Sequence, residues 1–238
     1  MAKKRLLAVW AHPDDESFGP VGTTRLAHDQ GWETALITAT RGDAGNNAAP
    51  TPAGGETLGG LRERELRCAV QHIGIDQVHV WKHPDGGLAD LAPHTLRDEV
   101  LAVMRDWQPQ VVITFGPDGI TGHGDHIAIS TATTDAFHQL RNEPDTDGPQ
   151  RLYYVTVRPD QRINQRMGDA PPPGPAHAVL DVHAYVEVKL AALRCHASQR
   201  HDWEPMVEDR DWLLTDRFTR AYPPVLAGAA VETTIFDA

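Results

Sequence analysis

Apolar and polar positions along the chain form alternating blocks that predict strands and helices in turn. Short apolar runs predict strands, and apolar positions spaced three and four residues apart before a Gly predict helices. The predicted strands are 5–10, 34–40, 77–82, 111–115, 152–157 and 178–182, and the predicted helices are 17–30, 58–73, 93–107, 123–141 and 184–200. This alternation favours an α/β fold in which helices flank a parallel sheet.

Three stretches interrupt the alternation. Residues 42–60 are rich in small and polar residues and are long for an α/β connection, so we interpret them as an active-site loop or a mobile one. Residues 167–177 contain the run PPPGP and are interpreted as a surface excursion. Residues 202–238 show no regular pattern and stay unassigned. Because no internal repeat is found, we predict a single domain over residues 1–238.

The charge composition of the chain limits the kinds of molecule that it is expected to bind. The 238 residues include 22 Lys and Arg against 33 Asp and Glu, which gives a net charge of −11 with His neutral. A chain this acidic is a poor binder of nucleic acid and of anionic membrane surfaces. The apolar run at 6–11 is too short for a signal peptide or a membrane span, so we expect a cytoplasmic protein. The sequence does not decide whether the protein forms a homo-oligomer.

The two cysteines carry a prediction of their own. Cys68 and Cys195 are far apart in the sequence and lie in no CxxC or zinc-ribbon pattern. We therefore expect no disulfide framework, which fits a reducing compartment.

Candidate catalytic and metal-binding residues follow the first four predicted strands. In a parallel sheet, ligands bind beyond the carboxyl ends of the strands. Each of these strands is followed by a loop with Asp or His beside Gly or Pro. The loops read HPDDE at 12–16, RGDAG at 41–45, HPDGG at 83–87, and GPDG at 116–119 followed by HGDH at 123–126. We expect these four loops to converge at one edge of the sheet.

The spacing within the first and fourth loops favours a metal centre. His12 and Asp15 are three residues apart, as are His123 and His126, so each pair can share one face of a turn. Imidazole and carboxylate are ligands of catalytic zinc, which keeps an open position for water. One such pair is more often a helix cap, but two pairs at neighbouring strands favour metal. If Asp15 binds the metal, the adjacent Asp14 can take a proton from the metal-bound water.

Sequence motifs of several other enzyme classes are absent. The chain contains no GxGxxG, GxxxxGK[ST], HExxH or GxSxG. This disfavours NAD-dependent, P-loop, zincin and serine-hydrolase functions.

Several motifs together resemble one known family. AHPDDE at 11–16 and GHGDH at 122–126 carry the resemblance, supported by RGDAG at 41–45, RERELR at 62–67 and DGGL at 85–88. In these motifs the chain resembles the LmbE/PIG-L family of zinc-dependent N-acetylglucosaminyl de-N-acetylases. The resemblance implies a Rossmann-like three-layer sandwich with a mostly parallel sheet. It also implies metal-dependent removal of the acetyl group from an N-acetylated amino sugar or N-acetylglucosamine conjugate.

The resemblance also implies roles for individual residues. The expected ligands of Zn²⁺, with Fe²⁺ as an alternative, are His12, Asp15 and His126. Asp14 is the expected general base, and His123 is expected to stabilise the oxyanion or to protonate the departing amine. Asp125 is expected to orient a neighbouring His. The residues expected to hold the sugar are Asp43, Arg62 and Asp85.

The chain departs from the family at one position, and two other functions stay open. Thr121 stands where several members have a Tyr that polarises the acetyl carbonyl. One alternative is an amidase that cleaves a larger acyl group from a thiol-sugar conjugate. The other is a non-catalytic metal- or sugar-binding protein, which the presence of Asp14 disfavours. Glu16 is expected to orient its own loop. His196 lies in a segment that resembles the late helix of the family and is expected behind the site, with its role open.

Overall fold

A mixed sheet of seven strands forms the centre of the part of the chain that the structure describes. The computed structural model describes residues 3–49, 55–144, 148–158, 160 and 172–236. In chain order the strands are β1 Arg5–Trp10, β2 Glu33–Thr40, β3 Gln77–His83, β4 Val111–Phe115, β5 Arg151–Val155, β6 Ala178–Asp181 and β7 Thr215–Tyr222. They lie in the order β3-β2-β1-β4-β5-β7-β6. Strands β1 to β5 are parallel, whereas β7 is antiparallel to both β5 and β6.

The middle of the sheet is apolar on both faces. In the register of the sheet, Leu6 of β1 lies between Thr34 of β2 and Val111 of β4. Nearly every residue of β1 and β4 is buried, which is why these strands read as continuous apolar runs. Because β1 to β4 run in the same direction, the loops that follow them leave from one edge of the sheet.

Helices pack against the sheet in two groups. The first group is α4 and α6, which pack on each other and, through α6, on β1 and β4, and the second is α2, α3 and α7. The helices are α1 Asp15–Phe18, α2 Val21–Asp29, α3 Leu58–Ile73, α4 Thr95–Trp107, α5 Gly119–Gly122, α6 Gly124–Arg141, α7 Val186–Cys195, α8 Arg200–Trp203 and α9 Arg210–Leu214. The predicted α/β fold with a mostly parallel sheet is confirmed. Within the described ranges, no helix is long and apolar enough to cross a membrane.

The structure differs from the predicted elements in three places. The predicted helix 17–30 is two helices, α1 and α2, separated by Gly19 and Pro20, because Pro has no N–H to continue the first helix. The predicted helix 184–200 ends at Cys195. Strand β7 comes from the unassigned tail and lies between β5 and β6, although β6 precedes it in the sequence.

The predicted loop 42–60 and the predicted excursion 167–177 are described only in part. Residues 50–54 of the predicted loop 42–60, and residues 167–171 of the predicted excursion 167–177, lie outside the described residues. The rest of the second stretch runs beside β7, where Thr219 Oγ1 donates a hydrogen bond to Pro175 O at 2.8 Å. This part is therefore packed on the sheet edge and does not project from it. That residues 1–238 form a single domain stays a prediction.

The expectation about the cysteines was wrong. Cys68 in α3 and Cys195 at the end of α7 form a disulfide, with 5.8 Å between their Cα atoms. The two residues are 127 positions apart in the sequence, but α3 and α7 pack against each other and bring them together. The argument for a reducing compartment rested on unpaired cysteines and loses its support.

We predict that reduction of the disulfide lowers the free energy of unfolding by about 2–4 kcal/mol, because the bridge closes a long loop and restricts the unfolded chain. Urea unfolding with and without a reductant measures the difference. The double variant Cys68→Ser/Cys195→Ser is the control, since its unfolding midpoint should not respond to the reductant. An identical midpoint for the oxidised and reduced wild-type protein would contradict the prediction.

Candidate metal and substrate site

The loops after β1, β2, β3 and β4 meet in one cavity of about 740 Å³ at the carboxyl edge of the sheet. The predicted site residues that line it are His12, Asp14, Asp15, Arg62, Asp85, His123 and His126. Asp125 lies directly behind the cavity, is 1% exposed and contacts His12. Asp43 is exposed and does not line the cavity, although its neighbours Ala44 and Gly45 do.

Three side chains from two of these loops bring their donor atoms together. His12 Nδ1 lies 3.2 Å from His126 Nε2, and the carboxylate of Asp15 lies 3.6 Å from the first atom and 3.5 Å from the second. Donors bound to a tetrahedral zinc ion at about 2.0–2.1 Å stand about 3.3–3.4 Å from one another. This cluster of His12, Asp15 and His126 could therefore hold a divalent metal ion.

The outer hydrogen bonds of the two imidazoles fix their tautomers. His126 Nδ1 donates to Gly119 O at 3.0 Å, which leaves a lone pair on Nε2. His12 Nε2 lies 3.2 Å from a carboxylate oxygen of Asp125 and 3.1 Å from one of Asp85, so it carries the proton and leaves a lone pair on Nδ1. The two lone pairs face each other and repel unless a proton or a metal cation lies between them. Imidazole ligands of metals are usually held in this way, by a carboxylate or carbonyl on the other nitrogen.

The charges around His12 favour a cation at this position. Burial lowers the pKa of His12, but the carboxylates of Asp125, Asp15 and Asp85 raise it well above its usual range. Burial likewise raises the pKa of Asp15, but His126 and His12 lower it far below its usual range. The carboxylates therefore stay charged, and they stabilise positive charge between the two imidazoles.

The loop after β1 is held in shape by its own carboxylates. Asp15 accepts hydrogen bonds from the backbone N–H of Ala11 at 3.1 Å and of His12 at 2.7 Å. Asp14 has φ 125° and ψ −27°, a conformation that residues with a side chain rarely adopt. Its N–H donates to Glu16 Oε2 at 3.0 Å. Such strain persists only where the surroundings enforce it, and here Glu16 does so.

A buried pair behind the loop holds Glu16 in turn. His196 is fully buried and its Nε2 lies 2.7 Å from Glu16 Oε1, which also accepts from Ser17 Oγ at 2.6 Å. Burial lowers the pKa of His196, but Glu16 raises it to a net value above its usual range. The sequence predicted that Glu16 orients its loop and that His196 lies behind the site, but it left open the role of His196, which is 180 positions away from Glu16. Only the packing of α7 beside this loop identifies the pair.

The side chain of Arg62 lines the cavity and also donates hydrogen bonds to other residues of the protein. Its Nη2 donates to Asp14 Oδ2 at 3.1 Å and to Pro13 O at 2.7 Å, and its Nη1 donates to Gly42 O at 3.0 Å. Burial raises the pKa of Asp14 to about 7, against the opposing effect of the Arg62 guanidinium. A carboxyl group with this pKa exchanges protons at neutral pH, as a general base must.

His123 and Thr121 complete the cavity on the side of α6. His123 is the N-cap residue of α6, its Nδ1 accepts from Asp125 N at 3.1 Å, and its ring centre is 4.9 Å from that of His12. The hydroxyl of Thr121 lies 3.4 Å from Gly119 O, close to the backbone of its own loop. Thr121 therefore lines the cavity without extending across it as a Tyr side chain does.

Comparison with known proteins gives consistent matches. The sequence profile of the PIG-L family, GlcNAc-PI de-N-acetylase, matches residues 7–137. A 1D-myo-inositol 2-acetamido-2-deoxy-alpha-D-glucopyranoside deacetylase of Rhodococcus opacus is 31% identical over 242 residues, covering 84% of this chain and 82% of that protein. The solved 4-carboxy-2-hydroxymuconate hydratase of Pseudomonas putida has a TM-score of 0.74 at 19% identity, covering 95% of this chain and 100% of that one. The N,N'-diacetylchitobiose deacetylase of Pyrococcus horikoshii has a TM-score of 0.69 at 19% identity, covering 91% and 83%.

The fold and the site define an α/β protein with a candidate divalent-metal centre at the carboxyl edge of its parallel sheet. The chain belongs to the PIG-L family of de-N-acetylases. The resemblance first seen in the AHPDDE and GHGDH motifs is thus confirmed. Because a hydratase shares the same fold, the fold alone does not fix the reaction, and the side chains of the site must carry the functional argument.

We predict that Glu16→Ala lowers the free energy of unfolding by about 3–5 kcal/mol, because it leaves His196 buried without its carboxylate partner. Urea unfolding measures the loss. The matched control is Glu204→Ala, which removes an exposed ion pair with Arg200 and should leave the unfolding midpoint nearly unchanged, because water screens such pairs. Equal losses in the two variants would contradict the role of Glu16.

Proposed function

We propose that this protein is a metal-dependent hydrolase that removes the acetyl group from an N-acetylated amino-sugar conjugate. The observation that carries the proposal is the cluster of His12, Asp15 and His126. Its donor atoms stand at the spacing of zinc ligands, at the edge of a cavity large enough for a sugar. Membership of the PIG-L family and the activity named for the Rhodococcus opacus relative support the same reaction.

The proposed metal ligands are His12, Asp15 and His126. Two nitrogens and one oxygen suit Zn²⁺, and the same set also suits Fe²⁺. A divalent ion at this cluster would polarise the acetyl carbonyl and lower the pKa of the attacking water. Asp85 and Asp125 hold the ring of His12 through its Nε2 and so fix which nitrogen is the ligand.

Asp14 is the proposed general base. Arg62 donates to Oδ2 of its carboxylate, so Oδ1 is the oxygen that takes the proton of the attacking water. The strained backbone of Asp14, fixed by Glu16, sets the direction of this side chain. Arg62 thereby acts on the base, in addition to its predicted contact with the sugar.

His123 is the proposed partner of the acetyl oxygen and of the departing amine. Its Nδ1 is an acceptor for Asp125 N–H, so the proton of the neutral ring is on Nε2. From Nε2 the neutral ring can donate a hydrogen bond to the oxyanion or to the nitrogen of the departing amine. The proton that this nitrogen gains is the one that Asp14 took from the attacking water. With Thr121 in place of a longer side chain, this donor carries the contact that the Tyr provides in other family members. The contact of Asp43 with the sugar stays a prediction.

We predict that Asp14→Asn lowers kcat for acetate release from an N-acetylglucosamine conjugate by about 10²–10⁴-fold, because it removes the base, while bound metal is retained. His126→Ala is expected to lose both metal and activity. Acetate release and elemental analysis of the purified protein measure the two effects, and the analysis also identifies the metal.

His138→Ala is the matched control, since His138 is an exposed residue of the same helix as His126. It should keep both metal and activity. If wild type and Asp14→Asn release acetate at the same rate, the proposed mechanism is wrong. Faster release of a larger acyl group than of acetate would favour the amidase alternative, and metal binding with no hydrolysis of any substrate would favour a binding protein.

A further inference from the structure

The cavity has an apolar wall that the proposed chemistry does not use. We call the side chains of Phe18, Val157, Met206 and Trp212, which all line the cavity, the apolar wall. We propose that this wall binds an apolar group, an aryl or alkyl aglycone, attached to the amino sugar. This inference rests on the proposed function and adds the substrate class to it.

Three of the four side chains of the apolar wall belong to a small core separate from the main one. Trp212 packs with Leu193 and Leu213, and Phe18 and Met206 pack against this cluster. The ring centres of Phe18 and Trp212 are 6.3 Å apart. A fixed aromatic surface of this kind binds apolar rings and chains at low entropic cost.

A buried lysine fixes the position of Trp212. Lys189 Nζ donates to Trp212 O at 3.2 Å and lies 4.0 Å from the centre of its ring. Burial lowers the pKa of Lys189 to about 8, against the effect of nearby Asp216. The side chain of Lys189 also lines the cavity, and its ammonium group is engaged with the carbonyl and the ring of Trp212.

The other polar groups near the apolar wall already have partners in the protein. Asp216 Oδ2 accepts from Thr23 N at 2.7 Å and from Thr23 Oγ1 at 2.8 Å, and Thr215 Oγ1 donates to Asp211 O at 2.9 Å. Arg217 pairs with Asp211 through Nη2, and its buried Nε has no acceptor among the described residues. One donor suits a single oxygen of a ligand. A polyol would bury several hydroxyls without partners, which is costly.

The size of the cavity and the small size of the acetyl group also favour a substrate that carries a further group attached to the sugar. A cavity of about 740 Å³ is in the upper part of the range of roughly 300–1,000 Å³ that drug-sized ligands fill, so an N-acetylated hexosamine alone leaves part of it empty. The acetyl group offers a single methyl, which is too small to cover four side chains. The group on the other side of the sugar must therefore meet the apolar wall.

The apolar wall lies mostly outside the segment that defines the family. The family profile ends at residue 137, whereas Val157, Met206 and Trp212 follow it. The residues proposed for metal and base all lie within the profile. The proposed chemistry therefore lies within the profile, whereas the apolar wall lies mostly beyond it. A relative whose named substrate carries myo-inositol aligns with 84% of this chain, so the myo-inositol conjugate is the comparison that tests the wall.

The test compares acetate release by the full-length, zinc-loaded protein from three substrates: phenyl N-acetylglucosaminide, the N-acetylglucosaminide of myo-inositol, and free N-acetylglucosamine. We expect kcat/KM for the phenyl compound to exceed the others by at least about tenfold, the effect of one or two apolar groups in a pocket. Met206→Gln, similar in size but polar, should lower the phenyl-to-inositol ratio several-fold. Leu226→Gln is the matched control, because Leu226 is 81% exposed and does not line the cavity, and it should leave the ratio unchanged.

Each outcome bears on the proposal separately from the proposed function. Equal or faster release from the inositol conjugate overturns the apolar-aglycone proposal and leaves the deacetylase proposal standing. Preference for N-octanoyl over N-acetyl phenyl glucosaminide also overturns it, because the wall then serves the acyl group. If no substrate releases acetate, the proposed function fails. In that case, calorimetric titration measures the binding of the phenyl and inositol glucosaminides. Tighter binding of the phenyl compound, with the difference lost in Met206→Gln, supports the role of the apolar wall. Equal binding of the two compounds overturns it.

Discussion

The site depends on one contact, the 3.2 Å approach of His12 Nδ1 to His126 Nε2. Both nitrogens present lone pairs, because the opposite nitrogen of each ring is held by Asp125 and Asp85 in one case and by the Gly119 carbonyl in the other. Such a contact is repulsive unless a proton or a metal cation lies between the two nitrogens. The acidic groups around it therefore form a site that stabilises positive charge, and part of the net charge of −11 is concentrated there.

The residues that hold this contact in place extend from the cavity into the interior of the protein. The loop after β1 is closed by carboxylates that accept its own backbone N–H groups, and one of them, Glu16, is fixed by the fully buried His196. The conformation of Asp14 is a consequence of this arrangement. A substitution at Glu16 or His196 changes the site without touching the cavity, and stability and function are therefore coupled at this loop.

The fold of this protein says less about its reaction than the side chains of its site do. A hydratase and a deacetylase share this fold with the chain, so the sheet only provides an edge at which four loops meet. Residues 7–137, which the family profile matches, carry the charged cluster. The later part of the chain contributes β7 and the apolar wall, with Trp212 at its centre, and shapes the far side of the cavity. The charged cluster and most of the apolar wall thus come from different parts of the chain and line one cavity.

The sequence by itself determined the elements with strong local patterns: the bounds of β1, β4 and α3 are as predicted, and the loops after the first four strands meet as expected. Periodicity and loop residues are local signals, and parallel strands bring successive loops to one edge. Tertiary structure alone decided the disulfide between Cys68 and Cys195, the insertion of β7 and the pairing of His196 with Glu16. These depend on which distant segments pack together, a choice set by the burial of whole helices and strands and not by any local pattern.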